Sequence, residues 1–345
     1  MQNDENGLCY PNYYPRFKCI ADKCSDNCCI GWEIEIDSDT VGYYKNVSGD
    51  FGARLRENIS ADNSFILKNE RCPFLNESNL CDIIISCGEE RLCQICRDHP
   101  RFFEWYGNIK EGGIGLSCEE GARLILTSDD VSYDESEIDE EEEPVDGELF
   151  SLLFDAREKI FSIIENEEKS FGENISDILN FAHKLQFSVD NPHLIAEDYI
   201  PDEKNSGEYG VKDIIGSFGE FEPIDESWTS QYKKLCTTDI KNVENKKECE
   251  AYTRNLFRYF IWRYFLKGVF DGEVLSKVKL AVVSVIVIRL MTHGSDDITV
   301  WIEKSKLYSK QMEYSDENTE LFYDMSYEKD FFSVSTLIDV CKYLL

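Results

Sequence analysis

Ten of the fourteen cysteines lie between Cys19 and Cys118, and their grouping constrains the chain more than any other feature. They read Cys19-x4-Cys24-x3-Cys28-Cys29, then Cys72-x8-Cys81-x5-Cys87-x5-Cys93-x2-Cys96, then Cys118. Cysteines that only fill a core are scattered. These form bunches separated by loops rich in Asn, Asp, Gly and Pro, as expected where one centre draws ligands from several segments. Cys93 and Cys96, two residues apart, can grip one metal from a single turn, or act as a dithiol redox pair. Beside seven further grouped thiols, ligation is the better reading.

The compartment bears on that reading. Met1-Gln-Asn-Asp-Glu-Asn has no basic n-region and no apolar h-region, so no secretory signal is visible and a cytoplasmic location is expected. Thiols stay reduced there, which favours metal ligation over a disulfide framework. At 345 residues the chain can bury a sizeable core without staples. The most apolar run, Leu280 to Ile288, is far shorter than the ~20 residues that cross a bilayer, so no membrane insertion is expected.

The net charge is -32, and it is uneven. Residues 1–125 carry 13 basic and 21 acidic side chains, residues 126–230 carry 6 and 30, and residues 231–345 carry 17 and 17. No basic face is available to neutralise phosphates, so nucleic acid is not an expected partner. A partner presenting lysines would be attracted, although such charge also serves solubility.

Along the chain, the aromatic, proline-punctuated residues 10–18 should be extended. Trp32, Ile34 and Ile36 alternate with acids as in a short strand, and residues 64–68 read as another. Residues 38–60 look helical, with Ser38 as cap. Gly112-Gly-Ile-Gly115 reads as a turn rather than a nucleotide loop. Residues 129–148 hold twelve acids in twenty positions and read as a solvated linker, or a collar that steers a basic substrate. Beyond it, Leu149, Leu153, Ile160 and Ile164 share one helical face, and Ile175, Ile178, Leu179, Ala182 and Leu185 another. Residues 190–225 look irregular. Tyr252, Leu256, Phe260 and Phe265 belong to a helix aromatic on all sides, followed after Asp271-Gly272 by one through Val278, Val282 and Ile286, and a last amphipathic helix ends the chain. Such stripes are read as packing. The fold class expected is mainly α with minor β: an irregular, cysteine-rich metal-binding domain (1–128), an acidic linker (129–148) and a helical domain (149–345).

Several segments together resemble the bacterial flagellin lysine-N-methylase family. They are Tyr14-Pro-Arg-Phe-x-Cys19, Cys24-x3-Cys28-Cys29-Ile-Gly-Trp-Glu-Ile, Cys72-Pro-Phe-Leu-x5-Cys81, Leu92-Cys93-x2-Cys96-Arg-Asp-His-Pro-Arg-Phe and Gly115-Leu-x-Cys118-Glu-Glu. Asn255-Leu-Phe-x-Tyr-Phe-Ile-x-Arg-Tyr-Phe and Val269-x-Asp-Gly-x2-Leu carry the resemblance into the C-terminal part. The cysteine frame is also similar to a broader group of small zinc- or iron-chelating proteins, which share Cys24, Cys28, Cys29, Cys72, Cys81, Cys96 and Cys118. Cys19 and Cys93 would then be extras of the methylase branch. The resemblance implies methyl transfer from S-adenosyl-L-methionine to flagellin lysines, with a cysteine-held iron-sulfur cluster of the four-iron type, zinc being the alternative. No glycine-rich strand-turn-helix of the common nucleotide-binding methyltransferases is present.

A lysine amine, with a reference pKa of about 10.4, must be desolvated or deprotonated before it attacks. Asp98 and His99, directly after Cys96, are the candidate bases, and Tyr14 offers a phenolate beside the first bunch. Tyr13, Tyr14, Trp32, Trp105 and Tyr106 could wall a cation or insulate the cluster. His99 could equally ligate metal. The candidate ligands are Cys19, Cys24, Cys28, Cys29, Cys72, Cys81, Cys93, Cys96 and Cys118, more than the four thiolates one four-iron cluster takes, so there are two centres or some thiols stand outside the ligand set. Cys9, Cys87, Cys236, Cys249 and Cys341 read as ordinary thiols. The rival functions are a non-enzymatic metal-binding redox adaptor and a zinc-stabilised scaffold.

Overall fold

The computed structural model describes residues 7–128, 132–137, 145–194, 199, 209–238 and 247–345. The chain opens on β1 (Gly7–Pro11) and runs through short helices α1 (Ser38–Asn46), α2 (Gly49–Glu57), α3 (Asp82–Cys87) and α4 (Gln94–Asp98). Then come β2 (Arg101–Tyr106), β3 (Ile109–Ile114), α5 (Glu119–Leu126) and β4 (Tyr133–Glu137). The rest is helical: α6 (Gly147–Ile164), α7 (Phe171–Asp190), α8 (Val211–Ser217), α9 (Glu226–Thr237), α10 (Lys247–Tyr264), α11 (Gly268–Asp271) and α12 (Val274–Thr292), then α13 (Ile298–Glu313), α14 (Asp316–Glu328) and α15 (Val334–Leu344). The mainly α class expected from sequence holds.

Two hydrophobic cores organise these elements. The small one lies among the cysteine segments and gathers Ile34, Ile36, Val41, Tyr44, Leu55, Phe65 and Phe74, with Cys72 and Cys93 buried in it and Cys29, Cys81, Cys87 and Cys96 packed against it. The large one is built around α12, every residue of which is buried. Its apolar periphery explains the position: a helix without a polar stripe must be covered on all sides. α7, α10, α13 and α14 pack on it.

A four-stranded sheet in the order β2-β3-β1-β4 joins the two parts. β1 pairs parallel with β3 and antiparallel with β4, and β2 pairs antiparallel with β3. Several expectations change here. Gly112 and Gly113 belong to a strand, not a turn; the glycines are needed because aromatic rings lie over the strand, and a Cβ at Gly113 would sit 2.2 Å from Phe102 Cζ. The strands expected near 32–36 and 64–68 shrink to isolated bridges such as Glu35 with Ser64. Asp37, not Ser38, caps α1, its carboxylate accepting from the Thr40 amide at 2.9 Å. Part of the acidic stretch, Tyr133–Glu137, is the edge strand β4, while residues 129–131 and 138–144 of that stretch lie outside the described residues. The segment expected to be irregular, 190–225, contains α8, and residues 195–198 and 200–208 of it lie outside the described residues.

Candidate functional site

The thiols form two sets, each tied together by short-range interactions. Cys93 is the N-cap residue of α4, so one turn of helix returns Cys96 beside it. A hydrogen bond from Cys96 holds the Cys93 thiol low, while the same contact and then burial push Cys96 up. Cys28 and Cys29 form a second such pair, with Cys28 held low by Cys29 and, after a burial cost, by a hydrogen bond to the His99 ring. Burial pushes Cys72 up to about 11 and Cys118 up to about 12. Electrostatically Cys29 and Cys96 both feel Cys72, and Cys29 and Cys72 both feel Cys81, so Cys29, Cys72, Cys81, Cys93 and Cys96 make one set around the small core. Cys118 instead feels Cys24 and Cys28, which places a second set at the start of α5. Cys19 is exposed and accepts only the Ala21 amide at 3.4 Å. Among the described residues no three His, Cys, Asp or Glu side chains are drawn up as a finished metal site.

The second set is clamped to the helical part by α13. Cys24 donates to the Asp26 carbonyl at 3.0 Å and lies 3.8 Å from Glu119 Oε2. Lys306, 8% exposed, faces both carboxylates, at 3.4 Å from Asp26 and 3.5 Å from Glu119. Against their burial, Lys310 and Lys306 on Asp26, and Ser25 and Lys306 on Glu119, hold both carboxyls below the usual range.

One turn further along α13 the two parts enclose a cavity of about 110 Å³. His99, Pro100, Arg101 and Phe102 line it from the chain after the last cysteine pair, Gly115 and Ser117 from the loop before Cys118, Arg263 from α10, and Ser309, Glu313 and Tyr314 from α13 and its end. Helical spacing puts Tyr259, Arg263 and Tyr264 on neighbouring faces of α10. All three converge on Glu313, which is 4% exposed: Arg263 Nε at 3.0 Å, the Tyr259 hydroxyl at 2.9 Å and the Tyr264 hydroxyl at 2.9 Å. Ser309 also donates to it. Tyr259 in turn accepts from the Leu116 amide at 3.1 Å and from Arg263 Nη1 at 3.2 Å. The Arg263 guanidinium carbon lies over the Phe102 ring, 4.3 Å from its centre. Ser117 and Tyr314 share a hydroxyl–hydroxyl bond, and Trp32 packs on Tyr314 at 4.6 Å.

Of the three side chains expected to do acid–base work, only His99 lines this cavity. Tyr14 packs between Tyr10 at 5.1 Å and Phe103 at 6.5 Å beneath Arg101, and burial pushes its hydroxyl pKa up. Asp98 lies near enough for its charge to act on Tyr14. Tyr14 thus sits with Arg101, and neither it nor Asp98 lines the cavity that His99 reaches. Among the expected aromatic walls, Trp32 reaches the cavity rim through Tyr314, whereas Tyr106 stacks on Phe150 at 5.7 Å and Trp105 lies under Lys110 at 5.3 Å. Tyr13 lines a separate, smaller cavity of about 40 Å³ with Tyr133, Tyr259 and Trp262. Arg263, Glu313, Tyr259 and Tyr264 went unassigned in the sequence. The signal available was local: Tyr259, Arg263 and Tyr264 lie in the aromatic C-terminal half of α10, where Arg263 is a charge among Phe260, Ile261 and Trp262, with Phe265 just beyond.

The family described as FliB lysine N-methylase C-terminal domain matches residues 208–339, a span that contains Arg263, Ser309, Glu313 and Tyr314. The flagellar biosynthetic protein FliU of Salmonella muenchen is 31% identical over 135 residues, covering 35% of this chain and 78% of that protein. Lysine-N-methylases of Salmonella typhimurium (30% over 131 residues) and Salmonella choleraesuis (29% over 131 residues) are matched over 35% of this chain. In each of those two the match spans only 33% of the relative's length. No solved structure matches the chain.

Proposed function

Since the chain belongs to the flagellin lysine-N-methylase family, we propose that it is a protein lysine N-methyltransferase acting on flagellin with S-adenosylmethionine as methyl donor. One observation carries the reading beyond family membership: the cysteine segments and the aromatic helix α10, both of which bear the family resemblance, meet at one cavity. The transfer breaks the sulfonium S–CH3 bond, forms an N–CH3 bond at the lysine amine and needs that amine neutral, with its proton leaving to a base. His99 is the side chain of the expected three that reaches the cavity, and the proposal assigns the proton to it. The -32 net charge suits a substrate that arrives lysine first.

A thiolate-held iron-sulfur cluster belongs to the same proposal. Soft sulfur donors suit iron-sulfur or zinc, and the six thiols in or against one small core, Cys93 and Cys96 among them hydrogen-bonded to each other, fit that demand. Cys29, Cys72, Cys81, Cys93 and Cys96 would supply the ligands, with Cys24, Cys28 and Cys118 as the set nearer the cavity. When bound, such a cluster supplies either one-electron chemistry or a brace between segments.

The test is the intact mass of flagellin after anaerobic incubation with the purified, metal-loaded protein and S-adenosylmethionine. A ladder of methyl-sized increments that needs both components is expected. Unchanged mass with a fully loaded centre would overturn the methyltransferase reading in favour of a metal-binding adaptor.

A further inference from the structure

The cavity beside His99 is built to receive an acceptor-rich group, and its chemistry follows from how Glu313 is used. That carboxylate already accepts from Arg263, Tyr259, Tyr264 and Ser309. A carboxylate has about four lone-pair positions, so it has none left for an incoming ammonium. Its role is to fix Arg263. The Nε edge is spent on Glu313 and Tyr264, and Nη1 reaches Tyr259. Nη2 makes no hydrogen bond among the described residues, and the guanidinium rests over the Phe102 ring at 4.3 Å. A rigid, largely buried guanidinium with a donor edge to spare, beside the Ser117 and Tyr314 hydroxyls, recognises a carboxylate.

We infer that this cavity binds the α-amino-acid carboxylate of the methyl donor, with Arg263 as its charged partner and Ser117 and Tyr314 as neutral ones. The inference rests on the methyltransferase reading and places one end of its donor. Size agrees: a cavity of about 110 Å³ has room for several waters, and so for the polar head of an amino acid that displaces them. Electrostatics agree as well. S-adenosylmethionine is net cationic and so is drawn to a chain of net charge -32, yet its carboxylate needs a local cation there. The Trp32–Tyr314 pair at the rim gives the sulfonium an aromatic face. Gly115 keeps the space open. A Cβ there would lie 3.1 Å from the Pro100 carbonyl oxygen and 3.7 Å from both Arg263 Nη1 and Ser117 Oγ, facing the groups that would hold the ligand.

The experiment measures binding of S-adenosylmethionine and of its decarboxylated analogue to the metal-loaded full chain by calorimetry. The wild type should bind the decarboxylated compound about tenfold or more weakly, the range of a charge-assisted hydrogen bond, and Arg263→Gln should bind the two alike. Arg263→Gln strands Glu313 and can weaken folding, so Gly115→Ala is the second variant. It leaves both partners of the Arg263–Glu313 pair in place and should weaken S-adenosylmethionine binding about tenfold, with metal content at the wild-type value and the melting temperature lowered by at most a few degrees, the cost of the contact with the Pro100 carbonyl. Equal binding of the two ligands by the wild type, or undiminished binding by Gly115→Ala, would overturn the site while flagellin methylation by the wild type still stood. Absence of both donor binding and methylation in the wild type would bring down the site together with the reading it rests on.

Discussion

At the scale of single residues, a few side chains decide whether distant segments stay in register. Asp37 shows this best. One carboxylate oxygen accepts from the Thr40 amide and the other from the Gln94 amide, both at 2.9 Å, so one residue caps α1 and fastens the start of α4, which carries the Cys93–Cys96 turn. Asp37→Ala should cost about 1–3 kcal/mol, roughly two caps' worth, in urea unfolding of the cysteine segments. Asp37→Asn, with one acceptor oxygen in place of two, can keep only one of these bonds and should recover about half of that loss. The pH dependence has a definite sign. Burial acts to raise the Asp37 carboxyl, but the Gln94 and Thr40 hydrogen bonds outweigh it and hold it below the usual range. A depressed folded-state pKa means the stabilisation is present above the unfolded value of about 4 and is lost as pH falls through the folded one. Asp37→Asn should lack that acid-side loss. An identical acid limb in wild type and Asp37→Asn would assign the effect to other carboxylates.

At the scale of elements, the join between sheet and helices depends on a buried ion pair. Arg157 of α6, fully buried, makes a two-pronged bond to Glu111 of β3, at 2.7 and 2.6 Å, with Glu111 3% exposed. The guanidinium also stacks on Trp262 of α10 at 4.5 Å. Arg157→Met or Glu111→Leu alone should destabilise by about 3–5 kcal/mol because each strands a buried charge, whereas the double variant should cost clearly less than the two summed. Strict additivity in chemical denaturation would show that the two side chains act separately. Periodicity made α6 and α7 legible, since their buried faces repeat at helical spacing, while α12 was legible from its long apolar run, buried on every side. Neither signal could show what α10 does with its polar tips. The partner of Tyr259 and Arg263 is Glu313, about fifty positions later, and separations of that kind leave no local pattern. The same limit hid the strand at Gly112 and Gly113, where the demand for glycine comes from Phe103 and Phe102 on the neighbouring strand. The cysteine bunches were legible as a set, but not their division, because that depends on which thiols share the small core and which face α13.

At the scale of the whole molecule, the unequal sizes of the two cores set how the protein should respond to loss of its metal. The large core surrounds a fully buried helix and holds aromatic clusters such as Phe218, Trp228 and Tyr308. The small core has a dozen buried side chains, two of them thiols, and short helices that cannot stand alone. A unit of that kind needs cross-links, and metal–thiolate bonds would supply them. Asp26, among the first cysteines, pairs with Lys306 and Lys310 of α13, and Trp32 packs on Tyr314 at its end; Asp26 is 38% exposed, so the ion pairs contribute modestly. Chelation of the loaded protein should therefore lower a first calorimetric transition, with faster amide exchange over residues 34–96, while exchange across α7, α10 and α12 stays protected. The Arg157→Met variant should do the reverse, shifting the main transition. If chelation instead moved one single transition of the whole chain, the two cores would unfold as one unit, and the thiols would brace the helices as much as the segments that carry them.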